Sequence, residues 1–407
     1  MNALLTNFGT TGDVLPLLAL AQDLRRAGHH VVMACPPSHR DFVLRHDCPF
    51  VAAGPDLQDE QTAINQRWID DEATSSSSAA MHALLAPLQH ALPETYDVLS
   101  AQARRADVII SGPAQPAARM VHETLAIPFA SVQFSNFGGL GTPALQAATA
   151  ALINPFREKL GLRALQNPVT RDANSPQLGL YAMSRHLLPR TSAWPAHQQV
   201  VGFFFFDHAS WTPDPPLRDF IDAGEPPVIL SFGSMPHADP RHLTDLIHDA
   251  VTRAGVRAVL QMGASGLGAG GHDGDGRRAN NGADVLVVGF VPHGWLFPRG
   301  SCIVHHGGAG TAAAVFRSGR PSVYVPHGVI FDQTYWAQLS REHGCSGDAI
   351  PFQTLTAERL ADGIRECLDR DALRHGAARL GEQVRAERGV RTARQAIEAL
   401  VRNVGLN

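Results

Sequence analysis

The stretch His305-His306-Gly307-Gly308-Ala309-Gly310-Thr311 is the one whose residue types and spacing most plainly suit chemistry. The apolar run before it, 302–304, reads as a buried strand, and the alanine-rich segment after it, 311–315, as the start of a helix. A glycine-rich turn that opens a helix lets backbone N–H groups approach an anion with no Cβ in the way. The helix N-terminus adds partial positive charge, so a phosphate is the natural guest. The His306 ring and the Thr311 hydroxyl offer two further donors. The blander alternative is a tight strand–helix turn with buried histidines. The second candidate is Asp13, which closes the glycine-punctuated stretch 7–13 after the first strand. It reads either as a helix N-cap or as a carboxylate placed to take a proton. The helix end favours its charged form, which makes it a weak base unless the proton donor is held tightly.

The segment 308–313 also fits the dinucleotide pattern G-x-G-x-x-G/A. That pattern needs an acid at the end of the next strand to hold a ribose. Here the next strand, 321–325, is followed by Pro326 and His327, and the first acid, Asp332, comes several residues too late. A nucleoside diphosphate is therefore preferred to a dinucleotide. An NAD-dependent oxidoreductase and a non-catalytic protein of the same fold are the alternatives.

The elements that must position these residues follow from periodicity. Residues 2–6, 14–26 and 30–35 read as strand, helix and strand, a βαβ unit and hence the edge of a parallel sheet. In such sheets ligands bind outside the carboxyl ends of the strands, which is where Asp13 falls. Four serines at 75–78 read as a mobile loop, and 81–99 has helical spacing. Strands are expected at 108–111 and 129–134. The second leads into Phe134-Ser135-Asn136-Phe137-Gly138-Gly139, which reads either as pocket lining for a greasy molecule or as a buried turn. Clustered prolines between 200 and 227 suggest a linker, after which strands and helices alternate again. The glycine-rich stretch 263–282 reads as a surface loop. The tail carries amphipathic patterns over 359–368 and 373–400.

A chain of 407 residues exceeds one ordinary core, so two domains are expected. Apolar content of 44% with 18% charged residues marks a globular protein, and a net charge of −4 leaves no footprint for nucleic acid. Five cysteines without paired spacing indicate neither a disulfide framework nor a zinc site, and suit a reducing cytoplasm. No signal peptide and no apolar run long enough to span a membrane (about 18 residues) is present.

Taken together, the motifs 9–16 (GTTGDVLP), Ser231-Phe232-Gly233-Ser234-Met235, 305–311 and Asp332-Gln333 resemble nucleotide-sugar-dependent glycosyltransferases of the GT-B fold, in the bacterial natural-product and sterol-type branch. The resemblance implies two Rossmann-like, doubly wound parallel-sheet α/β domains facing across a cleft. The first, residues 1–205, would bind the acceptor, with a C-terminal helix of about 386–407 packing back on it. Residues 206–226 would be the linker and 227–385 the donor domain. The resemblance makes Asp13 the base for the acceptor hydroxyl. It sets Ser234, His306, Gly308, Gly310 and Thr311 around the diphosphate, Phe290 and the backbone of Val291 against the nucleobase, and Asp332 and Gln333 on the sugar. Phe134, Asn136 and Phe137 would line the acceptor pocket. A UDP- or TDP-sugar is the implied co-substrate, with no metal and no other cofactor, an apolar small molecule as acceptor, and a monomer or homodimer as the working form. Two departures stand out. Ala314 occupies the place of a ribose-binding Glu in plant relatives, and 327–331 looks like a two-residue insertion beside the sugar.

Overall fold

The computed structural model describes residues 1–9, 11–56, 78–112, 115–135, 143–169, 171–188, 194–233, 239–262, 284–327 and 332–404. The chain forms two compact units. One comprises the described residues up to Phe206 together with Glu387 onward, and the other Asp207–Ala386.

The first unit is built on β1 (Asn2–Thr6), β2 (His30–Cys35), β3 (Phe50–Ala52), β4 (Val108–Ser111), β5 (Phe129–Gln133), β6 (Leu178–Tyr181) and β7 (Gln198–Val200). They pair in parallel in the order β3-β2-β1-β4-β5-β6-β7. Its helices are α1 (Thr11–Arg26), α2 (Arg40–Arg45), α3 (Ser78–Ala103), α4 (Pro116–Leu125) and α5 (Pro143–Lys159). Strands of a parallel sheet are covered on both faces, so they are apolar throughout. Leu4, Leu5, Ile109 and Ile110 accordingly are all buried.

The second unit runs α6 (Pro215–Asp222), β8 (Val228–Ser231), α7 (Pro240–Ala254), β9 (Ala258–Gln261), β10 (Val285–Val288), α8 (His293–Leu296), β11 (Cys302–His305), α9 (Ala309–Ser318), β12 (Ser322–Tyr324), α10 (Gln333–Glu342), α11 (Ala357–Asp369) and α12 (Asp371–Ala386). Its sheet is also parallel, in the order β10-β9-β8-β11-β12. The chain then returns to the first unit as α13 (Gly389–Val404). There Ala393 and Ile397 enter the core, and Arg394 pairs with Asp23 of α1 at 2.8 Å.

Four local readings are corrected or refined. α1 starts at Thr11, so Asp13 lies in its first turn and not at its cap. Residues 206–226 are not a bare linker. α6 opens on Pro215 and Pro216, is capped by Asp214, and buries Leu217 and Phe220, because proline fits the first helical turn where no N–H bond is lost. The amphipathic pattern 373–400 is shared by two helices, α12 and α13, which Glu387 and Arg388 separate. The helical pattern seen at 81–99 extends over the whole of α3. Ser75–Ser77 and the whole glycine-rich stretch 263–282 lie outside the described residues.

The break at 387–388 has a physical cause. A Cβ on Gly389 would stand 2.4 Å from the carbonyl oxygens of both Gly202 and Phe203, so two backbone segments meet where only glycine fits. Glu387 secures the same point: its Oε1 accepts from the Ser184 hydroxyl at 3.1 Å and the Arg185 N–H at 3.0 Å. Burial raises its pKa above the usual carboxylate range. Gly389→Ala is expected to destabilise the protein by about 1–3 kcal/mol, the usual toll of overpacking, measured by chemical denaturation. Wild-type stability would mean that these backbones can part freely.

Candidate active site

In each sheet the strand order reverses once, between β1 and β4 in the first and between β8 and β11 in the second. Ligands of open parallel sheets bind at such switch points, outside the carboxyl ends. In the second sheet the register aligns Gln261, Ser231, His305 and Tyr324 side by side on the last rungs of β9, β8, β11 and β12. All four are buried. The loops that leave this row, and the segment after β10, whose Val288 pairs with Gln261, carry the sequence-predicted donor residues.

The phosphate loop follows β11. Gly308 is the N-cap of α9 with φ −62° and ψ 147°, so Gly310 and Thr311 lie in the first helical turn. Gly307 has φ +96° and runs against α10, where a Cβ would stand 3.0 Å from the Gln333 carbonyl. The His306 ring is wedged between the two switch-point loops. A Cβ on Gly308 would lie 2.5 Å from its Nε2, and one on Gly233 2.8 Å from its Cε1. Gly310 by contrast faces open space, with nothing within 4 Å of a notional Cβ. The arrangement presents N–H groups, an imidazole and the Thr311 hydroxyl around one helix N-terminus, which suits a diphosphate. Ser234 lies outside the described residues.

The segment after β10 is fixed by a polar network that the sequence did not disclose. Ser231 Oγ donates to Gln261 Oε1 at 2.9 Å, and His293 Nε2–H donates to the same oxygen at 3.2 Å. Gln261 Nε2 in turn donates to the Val291 carbonyl at 2.7 Å. That bond holds the Val291 backbone in place. The ring of His293 stacks on Phe297 at 4.2 Å. Burial, then His306 and His208, push its pKa down to about 4, so it is neutral at physiological pH. Phe290 is 65% exposed, its ring edge-on to His208 at 5.1 Å, as a stacking surface for a flat ligand should be.

Asp332 and Gln333 begin α10, and both are partly committed. Trp336 Nε1–H donates to Asp332 Oδ2 at 2.8 Å, and Gln333 Oε1 accepts from the His327 N–H at 2.7 Å. His327 is a further resident of the pocket, stacked on Phe352 at 4.4 Å and 6.3 Å from the His306 ring. Its signal in the sequence was its place just after the strand-ending Pro326. Among the described residues, no group of three or more His, Cys, Asp or Glu is placed to hold a metal ion.

The first unit's switch point carries Asp13. Asn7 Nδ2 donates to the Asp13 carbonyl at 2.9 Å. Gly9, at φ +134°, turns its backbone against the Asp13 carboxylate, so that a Cβ there would be 2.4 Å from Oδ2. Phe134 is half-buried and packs on the first core, while Asn136 and Phe137 lie outside the described residues.

Residues 3–137 match the glycosyltransferase family 28 N-terminal domain, and residues 277–400 match the erythromycin biosynthesis protein CIII-like C-terminal domain. The O-mycaminosyltylonolide 6-deoxyallosyltransferase of Streptomyces fradiae is 31% identical over 98% of this chain and 97% of its own length. The chain belongs to this family of glycosyltransferases. A sterol 3-beta-glucosyltransferase of Arabidopsis thaliana is 28% identical over 94% of this glycosyltransferase, which spans 63% of that longer protein. In shape, glycosyltransferase VinC in complex with DTDP is similar with a TM-score of 0.72 at 21% identity, covering 99% of this chain and 100% of its own. The spinosyn rhamnosyltransferase SpnG gives 0.70 at 20% identity over the whole of both chains. At that identity the likeness is one of fold.

Gly310→Ala separates folding from binding. Alanine suits an exposed helical position better than glycine and meets nothing here, so the melting temperature should hold or rise. Nucleotide affinity should fall about tenfold or more, because the added methyl stands in the open space through which a phosphate would approach the Gly310 N–H. Unchanged affinity by calorimetry would move the phosphates elsewhere.

Proposed function

We propose that this glycosyltransferase moves a sugar from a TDP-sugar to a hydroxyl of a large apolar acceptor (a macrolide, polyketide or sterol-like molecule) with inversion at the anomeric carbon. The observation that carries the proposal is the His306 ring held between Gly233 and Gly308 at the N-terminus of α9. The helix end, the His306 ring and the Thr311 hydroxyl would take up the charge of the departing diphosphate. Phe290 and the Val291 N–H would hold the base, and Asp332 with the Gln333 amide the sugar.

Thymidine is favoured over uridine by Ala314, which is half-buried on α9. A carboxylate at that place would grip ribose hydroxyls, and a deoxyribose forgoes the least when it is missing. VinC and SsfS6, both similar in fold, have been solved with DTDP and thymidine diphosphate. The acceptor class rests on the relatives named for a tylonolide and for sterols. Asp13 takes the acceptor proton as the hydroxyl oxygen attacks the anomeric carbon and the bond to the diphosphate breaks. Attack from the opposite face in one displacement inverts that carbon. Five free, buried cysteines suit a reducing compartment, and we place the enzyme in the cytoplasm.

Two measurements test the scheme. TDP should stabilise the fold more than UDP, and NAD not at all. A hundredfold excess over Kd gives about 2.7 kcal/mol. Stabilisation by NAD alone would remove the donor assignment. Asp13→Asn should leave nucleotide binding intact and slow transfer by about 10²–10⁴, the usual loss of a general base. Transfer would be followed as TDP release from TDP-glucose with a panel of macrolactones, sterols and phenols. A wild-type rate would take the base's role from Asp13.

A further inference from the structure

The loops that follow three adjacent strands of the first sheet pack on one another beside Asp13. Phe8 lies beneath Gly54, whose notional Cβ would be 3.5 Å from its ring, with Pro36 on the same side. The loop after β2 then turns through Pro37–His39. His39, only 8% exposed, reaches across to the loop after β1, where its Nε2 lies 3.0 Å from the Gly9 carbonyl oxygen. A carbonyl only accepts, so Nε2 carries a proton and donates. Gly9 is the residue whose backbone, at φ +134°, lies against the Asp13 carboxylate. Nothing else among the described residues bonds the Gly9 carbonyl.

We propose that His39 is a positioning residue for the base: through its hydrogen bond to Gly9 it fixes the backbone against which the Asp13 carboxylate is aimed at the acceptor hydroxyl. This rests on the assignment of Asp13 as base. The physical need is plain. A first-turn carboxylate is stabilised in its charged form and is a weak base, so its effectiveness depends on alignment. Asn7 fixes the backbone of Asp13 from one side, and His39 fixes its neighbour Gly9 from the other. The imidazole acts as a hydrogen-bond donor through Nε2–H. A glutamine, whose Nε2 can occupy the same place, should substitute for it.

The experiment is a double-mutant cycle with His39→Met, His39→Gln and Asp13→Asn in the full chain. Methionine fills the space without a donor, and glutamine keeps the donor. Readouts are the melting temperature, TDP affinity, and kcat and KM for TDP-glucose with the acceptor that turns over best in the panel above. Misplacement of a reacting group by about 1 Å costs up to about 100-fold. We expect H39M to lose about 10–100-fold in kcat with TDP affinity and donor KM unchanged, and H39Q to recover most of it. In the Asp13→Asn background H39M should cost little more, since effects exerted through one residue are not additive. If Asp13→Asn itself transfers normally, the base assignment fails. If it is slow while H39M is wild-type in kcat, or if the two losses simply multiply, the positioning role of His39 is overturned. If H39M unfolds, H39Q alone decides: a folded H39Q with a kcat loss as large as 100-fold also overturns it.

Discussion

Strand register is the constraint on which the donor site depends. In the second sheet, parallel pairing sets Gln261, Ser231, His305 and Tyr324 in one line at the carboxyl edge. A slip of one residue on any strand would put its apolar neighbour there and turn the polar side chain to the opposite face. Buried polar groups demand partners, and Ser231 and Gln261 find them in each other and in the segment after β10. Gln261 binds Ser231, His293 and the Val291 carbonyl at once, so a single side chain ties the ends of β8 and β9 to the segment that follows β10. The position of Phe290 follows from that tie, because it directly precedes Val291. The apolar interior of the sheet thus holds the register, and the register holds the site.

The first sheet applies the same rule to a different end. Its last rungs bring Thr6, Ser111 and Ser131 into line, and the loop after β1 leaves from that row. Here the loop is steadied from two sides by Asn7 and His39 and not by a central amide. Gly112 is required by the same packing, since a Cβ there would stand 2.3 Å from the Asn7 side chain. The two units therefore place one kind of residue each. In the proposed scheme the first would aim a carboxylate, and the second would surround the diphosphate with N–H groups.

The features legible in the sequence are those written in local spacing. An apolar strand, two histidines, a run of glycines and an alanine-rich helix can be read as a phosphate loop because each step is a backbone requirement. The strands before it and the two-unit division are legible for the same reason, as apolar runs and a change of pattern. Gln261, His39 and Trp336 were not, because each is defined by a partner far away or by a loop whose course is tertiary. Gln261 ends an ordinary strand, and nothing in its neighbours announces the Val291 carbonyl. The start of α1 was misplaced because Gly12 and Thr11 read as loop residues, whereas tertiary packing of Val14, Leu17 and Leu18 pulls the first turn into the helix. The split at 387–388 is not written in the amphipathic spacing, which continues across it; the family resemblance alone set a separate C-terminal helix from about 386. The cause of the split is a backbone contact with Gly202, which periodicity does not record.

Charge is placed sparingly in the donor pocket, and that bears on turnover. His293 is held neutral, and burial also pushes the pKa of His305 well below its ordinary value. In the proposed scheme the fixed attraction for a diphosphate would then come from the α9 N-terminus, equivalent to about half an elementary charge, and from donors aimed by the loops. A field of permanent cations would grip the departing nucleotide as firmly as the donor, and uniform binding of that kind gives no rate. Aligned N–H groups act most strongly where charge develops on the bridging oxygen, because they require no reorganisation as the bond breaks. Of the two sites, the donor pocket therefore gains most from rigidity: wedging His306 between Gly233 and Gly308 fixes the direction of its ring, where greater charge would only have deepened the hold on both substrate and product.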